Sequence, residues 1–311
     1  MKNTQAVCVA LLAAVLLGSV GIVVSVAARQ QKNSNAIRVQ TDLVGILASV
    51  IDAKGEPVPD LTQDSFSLSE DGVPQTIARF EPETNRPLDL ALMVDSSMSA
   101  LKDIKFETEA AAHFIRQVVR PGDTLAVFEF SESVSELSEF SDDVPRLQSA
   151  VRRIAPGSGT SMYDAVVLAS NALKRRPAER RRAIVLVTDA GETTSYSKFD
   201  DTRRAAIASQ ALLYSIIIRP VQNEGGRNTA GEHALITITD STGGALFVVD
   251  SPAQLDGTFD RIDRELRTQY LLGYYPNPVP PPGSDRHVEL KVKTGDLVRY
   301  RKEYFTAGKP E

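Results

Sequence analysis

Five oxygen-bearing side chains stand at the ends of predicted strands or at the start of a predicted helix. They are Asp95, Ser97, Ser99, Thr160 and Asp189. The apolar run 90–94 ends at the first of these acids, and the run 184–188 ends at the second. Such runs are typical of strands that are buried on both faces of a parallel sheet. Thr160 follows a short Gly-Ser-Gly segment that precedes a helical pattern.

In open parallel sheets, ligands bind in the crevice beyond the carboxyl ends of the strands. Two strand ends and one helix start therefore predict that the five side chains converge on one point. Carboxylate and hydroxyl oxygens, without His or Cys, suit a hard divalent cation, Mg²⁺ before Ca²⁺. The pattern thus predicts a cation site at this edge of the sheet.

Motifs of common enzyme classes are incomplete around these residues. A haloacid-dehalogenase-type phosphatase needs a second Asp two residues after the first, where this sequence has Ser97. Gly157-Ser158-Gly159-Thr160 lacks the lysine of a nucleotide-binding P-loop. The G-x-S-x-G elbow of α/β-hydrolases is also missing from the sequence.

Titratable side chains leave one enzymatic alternative open. The three histidines fall in separate predicted elements without the spacing of zinc ligands. They are His113, His233 and His287. Glu192, close to Asp189, could act as the catalytic base of a metal-assisted hydrolase. No second metal site in the sequence supports that alternative.

The pattern Asp95-x-Ser97-x-Ser99, with Thr160 and Asp189, resembles the metal-ion-dependent adhesion site of von Willebrand factor A domains. The resemblance spans roughly residues 87–269. It implies that the two serines bind the metal through their hydroxyls, and that the threonine and both acids bind directly or through water. The implied cation is Mg²⁺, with Mn²⁺ or Ca²⁺ as substitutes.

Neutral hydroxyl ligands leave Mg²⁺ incompletely neutralised, and Mg²⁺ usually keeps exchangeable waters. The resemblance therefore implies a protein-binding, adhesion-type module and not an enzyme. The partner would be a protein whose Asp or Glu completes the metal shell. The sequence departs from the family pattern at Ala190, where such domains usually carry Gly. That departure concerns the backbone of the loop and not the carboxylate before it.

Short segments outside this region are similar to a bacterial family of secreted VWFA-related proteins. They lie at residues 50–55, 64–66, 70–72 and 270–274. The chain has 311 residues, with 40 acidic against 35 basic side chains and a formal net charge of −5. This mild acidity argues against a nucleic-acid partner. The single cysteine, Cys8, excludes an intramolecular disulfide.

Residues 1–28 are predicted to be a signal peptide or an uncleaved membrane anchor. An apolar stretch follows Lys2, and Val26-Ala27-Ala28 offers the small residues of a cleavage site. As a helix, the stretch would be about 34 Å long, enough to cross a bilayer. In either case the rest of the chain is exported. It would be extracellular or periplasmic, or anchored to the membrane by the amino-terminal helix.

Strands alternate with helical patterns over residues 87–268, which predicts an α/β domain with a mostly parallel, doubly wound, Rossmann-like sheet. Residues 37–82 and 269–306 instead alternate between apolar and polar, as strands do. Each flank is too short to bury a core alone. We therefore expect the flanks to join into one β-sandwich, with the central domain inserted between their strands.

Three local expectations complete the prediction. Residues 66–69 and 76–80 should form a hairpin around Asp71-Gly72, and residues 298–305 should form the last strand. Two basic triplets, 174–176 and 180–182, should end a helix and then lie in a solvated loop. A partner-binding patch is the alternative for these triplets.

Overall fold

The computed structural model describes residues 43–82, 86–98, 104–218 and 229–308. The predicted leader and Ser99 lie outside these ranges. Within them, no helix has the length and apolar character needed to cross a membrane.

Strands and helices are numbered in chain order. The strands are β1 (Val44–Ile51), β2 (Phe66–Glu70), β3 (Val73–Gln75), β4 (Ile77–Pro82), β5 (Leu88–Asp95), β6 (Thr124–Phe130), β7 (Val134–Ser141), β8 (Arg181–Thr188), β9 (Leu212–Ile218), β10 (Leu246–Val249), β11 (Gln269–Tyr274), β12 (Asp285–Val292), β13 (Leu297–Tyr300) and β14 (Glu303–Phe305). The helices are α1 (Ile104–Val118), α2 (Val144–Val151), α3 (Met162–Lys174), α4 (Phe199–Ser209), α5 (Thr229–Thr242) and α6 (Leu255–Arg267).

The central sheet has the strand order β10-β9-β8-β5-β6-β7. β7 pairs antiparallel with β6, and the other neighbours are parallel. Along β5, Leu90, Leu92 and Val94 pack into a core under α1, α2 and α6, whereas Ala91 and Met93 pack into a core under α3, α4 and α5. This two-residue alternation explains why the strand is apolar throughout. The predicted α/β class with a mostly parallel sheet is confirmed.

The two flanks pair with each other in two antiparallel four-stranded sheets. Their strand orders are β13-β1-β11-β4 and β14-β12-β2-β3. β1 from the amino-terminal flank pairs with β11 from the carboxy-terminal flank, and β2 pairs likewise with β12. Side chains of both sheets share one apolar core, which includes Ile46, Phe66, Leu272 and Leu290. The flanks therefore form the expected β-sandwich.

The predicted hairpin and the predicted last strand are both wrong in detail. β2 pairs with β3, but β4 crosses to the other sheet and pairs with β11. Residues 298–305 likewise form two strands, since β13 lies in one sheet and β14 in the other. Alternation shows which side chains face a core, and both sheets face the same core. It therefore does not specify to which sheet a strand belongs.

The solvated loop predicted for the basic triplets is also wrong. Arg181 and Arg182 begin β8 and are only 4% and 8% exposed. Arg176 and Arg180 contact the buried carboxylate of Asp89, at nitrogen–oxygen distances of 2.9 and 2.8 Å. A guanidinium tolerates burial when carboxylates and carbonyls accept its hydrogen bonds. Asp89 lies 87 residues before Arg176, so the local charge pattern does not reveal this partner.

Gly244, between α5 and β10, lies directly against the backbone of β9. A Cβ at this position would be 1.8 Å from the carbonyl oxygen of Leu213. We expect Gly244→Ala to lower the free energy of unfolding by about 3 kcal/mol, because the backbone must shift to relieve the overlap. Urea unfolding would measure the change. Gly257→Ala is the matched control, since nothing lies within 4 Å of its added methyl group; equal midpoints for both variants would contradict the prediction.

Candidate metal site at the carboxyl ends of the central strands

Asp95 ends β5 and is completely buried. Its Oδ2 accepts a hydrogen bond from the Thr188 hydroxyl at 2.6 Å, and its Oδ1 accepts one from the Ser97 backbone N–H at 2.9 Å. Thr188 ends the neighbouring parallel strand β8. The two strand ends are therefore joined through this carboxylate, which holds Asp95 in one orientation.

The electrostatics of Asp95 are unusual for a carboxylate. Its pKa is raised to about 6, chiefly by burial and in addition by the charge of Asp189, against hydrogen bonds from Thr188 and Ser97 that lower it. Asp189 directly follows Thr188, the residue whose hydroxyl bonds Asp95, so the like charges of the two acids repel each other at this edge of the sheet. A divalent cation between them would remove this repulsion, so the donor set fits the predicted type of metal.

Asp189 and Thr160 meet at Gly191. The Gly191 N–H donates to Asp189 Oδ1 at 2.9 Å. A Cβ on Gly191 would lie 3.0 Å from that oxygen and 3.1 Å from Thr160 Oγ1, so both oxygens border one point. Ala190, which lies between Asp189 and Gly191 in the chain, has a φ of 66°, in the left-handed region that favours glycine. The departure from the family pattern therefore preserves a glycine-like backbone.

The loop that carries Thr160 is held on two sides. The Gly157 N–H donates to the Ser96 carbonyl at 2.8 Å, which attaches the loop to the end of β5. On the other side, the Thr160 carbonyl accepts from the backbone N–H groups of Thr193 and Thr194, at 2.9 and 3.2 Å. These bonds bring the start of α3 to the same edge as the two strand ends.

Glu132 is a supporting residue that the sequence did not indicate. Its carboxylate accepts hydrogen bonds from the Ser158 N–H at 2.6 Å and from the Gly159 N–H at 3.4 Å. These backbone bonds, with one from the Ser158 hydroxyl, lower the pKa of Glu132 to about 2. A Cβ on Gly157 would lie 2.8 Å from the same carboxylate. That Cβ would also lie 2.1 Å from the Ser131 hydroxyl oxygen, so the glycine at this position reflects the close contact of the loop with both Ser131 and Glu132.

Glu192 accepts hydrogen bonds from the backbone N–H groups of Tyr163 and Ser195, at 2.9 and 3.0 Å. It also accepts one from the Ser195 hydroxyl at 2.8 Å. Both carboxylate oxygens thus accept hydrogen bonds, and these bonds connect the loop after β8 to the start of α3. Glu192 thus positions these two segments. The sequence suggested only a catalytic base at this residue and did not indicate the positioning role.

The structure brings together most of the predicted ligands. Asp95 and Ser97 lie at the end of β5, Asp189 follows β8, and Thr160 precedes α3. Ser99 is outside the described residues and stays a prediction from the sequence. Among the described residues, no group of three or more His, Cys, Asp or Glu side chains is placed to hold a metal. A cation at this edge would therefore depend on two acids and neutral hydroxyls.

Residues 90–192 match the family model of the von Willebrand factor type A domain. The matched segment contains all of the predicted ligands and both of the strand ends that carry the acids. The chain therefore contains a von Willebrand factor type A domain, which confirms the resemblance seen in the sequence. No curated protein matches the chain.

Several solved structures are similar to this chain at low sequence identity, and two of them reach a TM-score of 0.50. A von Willebrand factor type A protein from Catenulispora acidiphila is 13% identical, with a TM-score of 0.50 over 86% of this chain and 74% of that one. Proximal thread matrix protein 1 from the mussel byssus is 14% identical, with a TM-score of 0.50 over 72% of this chain and 50% of that one. The vWF domain of the pilus tip protein Mfa5 from Porphyromonas gingivalis is 13% identical, with a TM-score of 0.47 over 58% of this chain and 95% of that one. At identities this low, structural similarity is evidence for a shared fold and not for a shared activity.

Proposed function

We propose that this chain is an extracytoplasmic, metal-dependent protein-binding module of the adhesion type. The observation that carries the proposal is the meeting of two acids and neutral hydroxyls at one edge of the central sheet. Asp95 and Asp189 repel each other there, and Thr160 borders the same point as Asp189. This donor set suits Mg²⁺, with Mn²⁺ or Ca²⁺ as substitutes.

Asp95, Ser97, Thr160 and Asp189 would hold the cation in this proposal. The bound metal would supply a coordination position for a carboxylate from an Asp or Glu of the partner protein. Asp189 is partly exposed, while Asp95 is buried, so a partner would approach from the side of Asp189. The proposed role is binding and not catalysis, since Glu192 is engaged with backbone donors.

The extracytoplasmic location rests on the amino-terminal sequence. Lys2, the apolar stretch over 6–28 and the small residues before Arg29 together favour an export signal or an anchor. The partner would then be a protein on the extracellular or periplasmic side. An uncleaved leader would hold the module at the membrane surface while it binds.

Metal binding can be tested without knowing the partner. We expect Mg²⁺ to raise the unfolding temperature of the parent chain, because a ligand that binds only the folded state stabilises it. At a Mg²⁺ concentration about a hundred times its dissociation constant, the gain is about 2.7 kcal/mol. Asp95→Ala should abolish the shift. Asp201→Ala, an exposed acid on α4, is the matched control and should keep it.

Partner binding needs a second readout. Envelope proteins captured in Mg²⁺ by the parent chain, and absent in EDTA or with Asp95→Ala, would be identified by mass spectrometry and tested individually. Cation-independent capture that survives Asp95→Ala would exclude the adhesion mechanism. An unfolding temperature that Mg²⁺, Mn²⁺ and Ca²⁺ all leave unchanged would exclude the metal site itself.

A further inference from the structure

A cleft of about 330 Å³ lies between the central sheet and the sandwich. One wall includes residues 178–182, at the beginning of β8, and Leu212, at the beginning of β9. The opposite wall includes Leu47 of β1, Arg79 of β4 and Leu271 of β11. Since the acids of the candidate metal site lie beyond the other ends of these central strands, the cleft is a separate feature.

Arginine dominates the lining of this cleft. Of the described residues that line it, six are arginines and one, Glu179, is acidic. The arginines are Arg79, Arg86, Arg180, Arg181, Arg182 and Arg301. Behind the lining, Glu81 contacts Arg79 and Arg86, and Asp89 contacts Arg180. The described residues thus set three carboxylates against six guanidinium groups, which leaves an excess of positive charge.

The contacts of two of these arginines show how the protein accommodates the excess of positive charge. Arg182, which is 8% exposed, donates to the Ser209 carbonyl at 2.9 Å, and no described residue accepts from its Nε. Arg301 donates to the Gly45 carbonyl at 3.2 Å and lies over the Tyr304 ring. Burial lowers the pKa of both side chains, because desolvation disfavours their charged form. An anion in the cleft would offset that cost.

We propose that the cleft binds a compact phosphate-bearing anion, either a free phosphate compound or the headgroup of a lipid. Guanidinium groups present paired donors that match phosphate oxygens. A phosphate group carries close to two negative charges at neutral pH, so it balances the excess better than one carboxylate. The cleft volume of about 330 Å³ is at the lower end of small-molecule sites, which span about 300–1,000 Å³.

Titration of the full chain with inorganic pyrophosphate tests the proposal. Calorimetry is done in EDTA, which removes divalent cations from both the chain and the pyrophosphate. It should show saturable binding, and the affinity should fall as NaCl is added. Arg79→Gln and Arg301→Gln should each weaken binding roughly tenfold, since each removes a charged hydrogen-bond donor. Both arginines line the cleft, and unchanged unfolding temperatures would verify that the variants are folded.

Arg152→Gln is the matched control, because Arg152 is exposed and lies outside the cleft lining. Its affinity for pyrophosphate should equal that of the parent. If Arg152→Gln weakens binding as much as Arg301→Gln does, the anion senses only the general surface charge and the proposed site is wrong. The test is independent of the metal site, so its outcome does not depend on the proposed function.

Vesicles distinguish the two sources of phosphate. Cosedimentation with phosphatidylcholine vesicles gives the background due to the leader, and added phosphatidic acid supplies an exposed phosphate headgroup. Binding that needs phosphatidic acid and is lost in Arg301→Gln, without pyrophosphate binding, would assign the cleft to a lipid headgroup. Pyrophosphate binding alone would assign it to a free compound. If neither probe binds, the proposal is overturned.

Discussion

Asp89→Ala is expected to lower the free energy of unfolding by about 3–5 kcal/mol, the range for removing one partner of a buried ion pair. The Asp89 carboxylate is fully buried and contacts Arg176 and Arg180 at 2.9 and 2.8 Å. It also accepts from the Thr124 hydroxyl at 2.5 Å. Its removal leaves two cations and one hydroxyl without their acceptor at the beginning of β5.

Urea unfolding at neutral pH measures the effect. Asp285→Ala is the matched control, because Asp285 is exposed and lies 3.7 Å from Arg204. Loss of such a surface pair changes stability by less than about 1 kcal/mol. Equal unfolding midpoints for the two variants would show that Asp89 does not organise the arginines around it.

The same carboxylate should contribute to acid sensitivity. Burial alone would raise the pKa of Asp89, but hydrogen bonds from Arg176, Thr124 and Arg180 lower it below the usual value of 3.8. A lowered folded-state pKa contributes stability above the unfolded value, and this contribution is lost as the pH falls through the folded pKa. The difference in stability between the parent and Asp89→Ala should therefore narrow in acid.

The central domain could be predicted from the sequence because its signals are local. The apolar run of β5 divides between two cores by simple alternation, and an acid closes it. The acids at the ends of β5 and β8 must share one edge because the strands are parallel. The positions of Asp95 and Asp189 therefore followed from element order alone.

What could not be predicted depends on partners far apart in the chain. Thr188 donates a hydrogen bond to Asp95, which lies 93 residues earlier in the chain. Ser158 likewise donates one to Glu132, which lies 26 residues earlier. Neither pair has a sequence signature, since any carboxylate near a loop can accept a hydrogen bond from any hydroxyl or backbone N–H. The burial of Arg182 was missed for the same reason, because its acceptors are backbone carbonyls.

Stability without metal and metal binding favour opposite charge states of Asp95. Its folded-state pKa is raised to about 6 from 3.8, first by burial and then by Asp189. A raised pKa contributes stability that is complete below the unfolded value and is lost as the pH rises through the folded value. In EDTA above that pH, the parent chain must therefore hold a buried charge that opposes folding.

We expect Asp95→Asn to remove this penalty, since the amide is neutral at every pH. Its carbonyl can still accept from the Ser97 N–H, and its NH₂ can donate to the Thr188 hydroxyl that now donates to Asp95. In EDTA above the folded pKa, the variant should be about 1–3 kcal/mol more stable than the parent, because a tenfold change in a proton-binding constant corresponds to about 1.4 kcal/mol. The difference should vanish near the unfolded value of 3.8. Saturating Mg²⁺ should reverse the order, because only the parent keeps the charged ligand. Urea unfolding across this pH range measures both effects, and a variant less stable than the parent in EDTA at alkaline pH would contradict the argument.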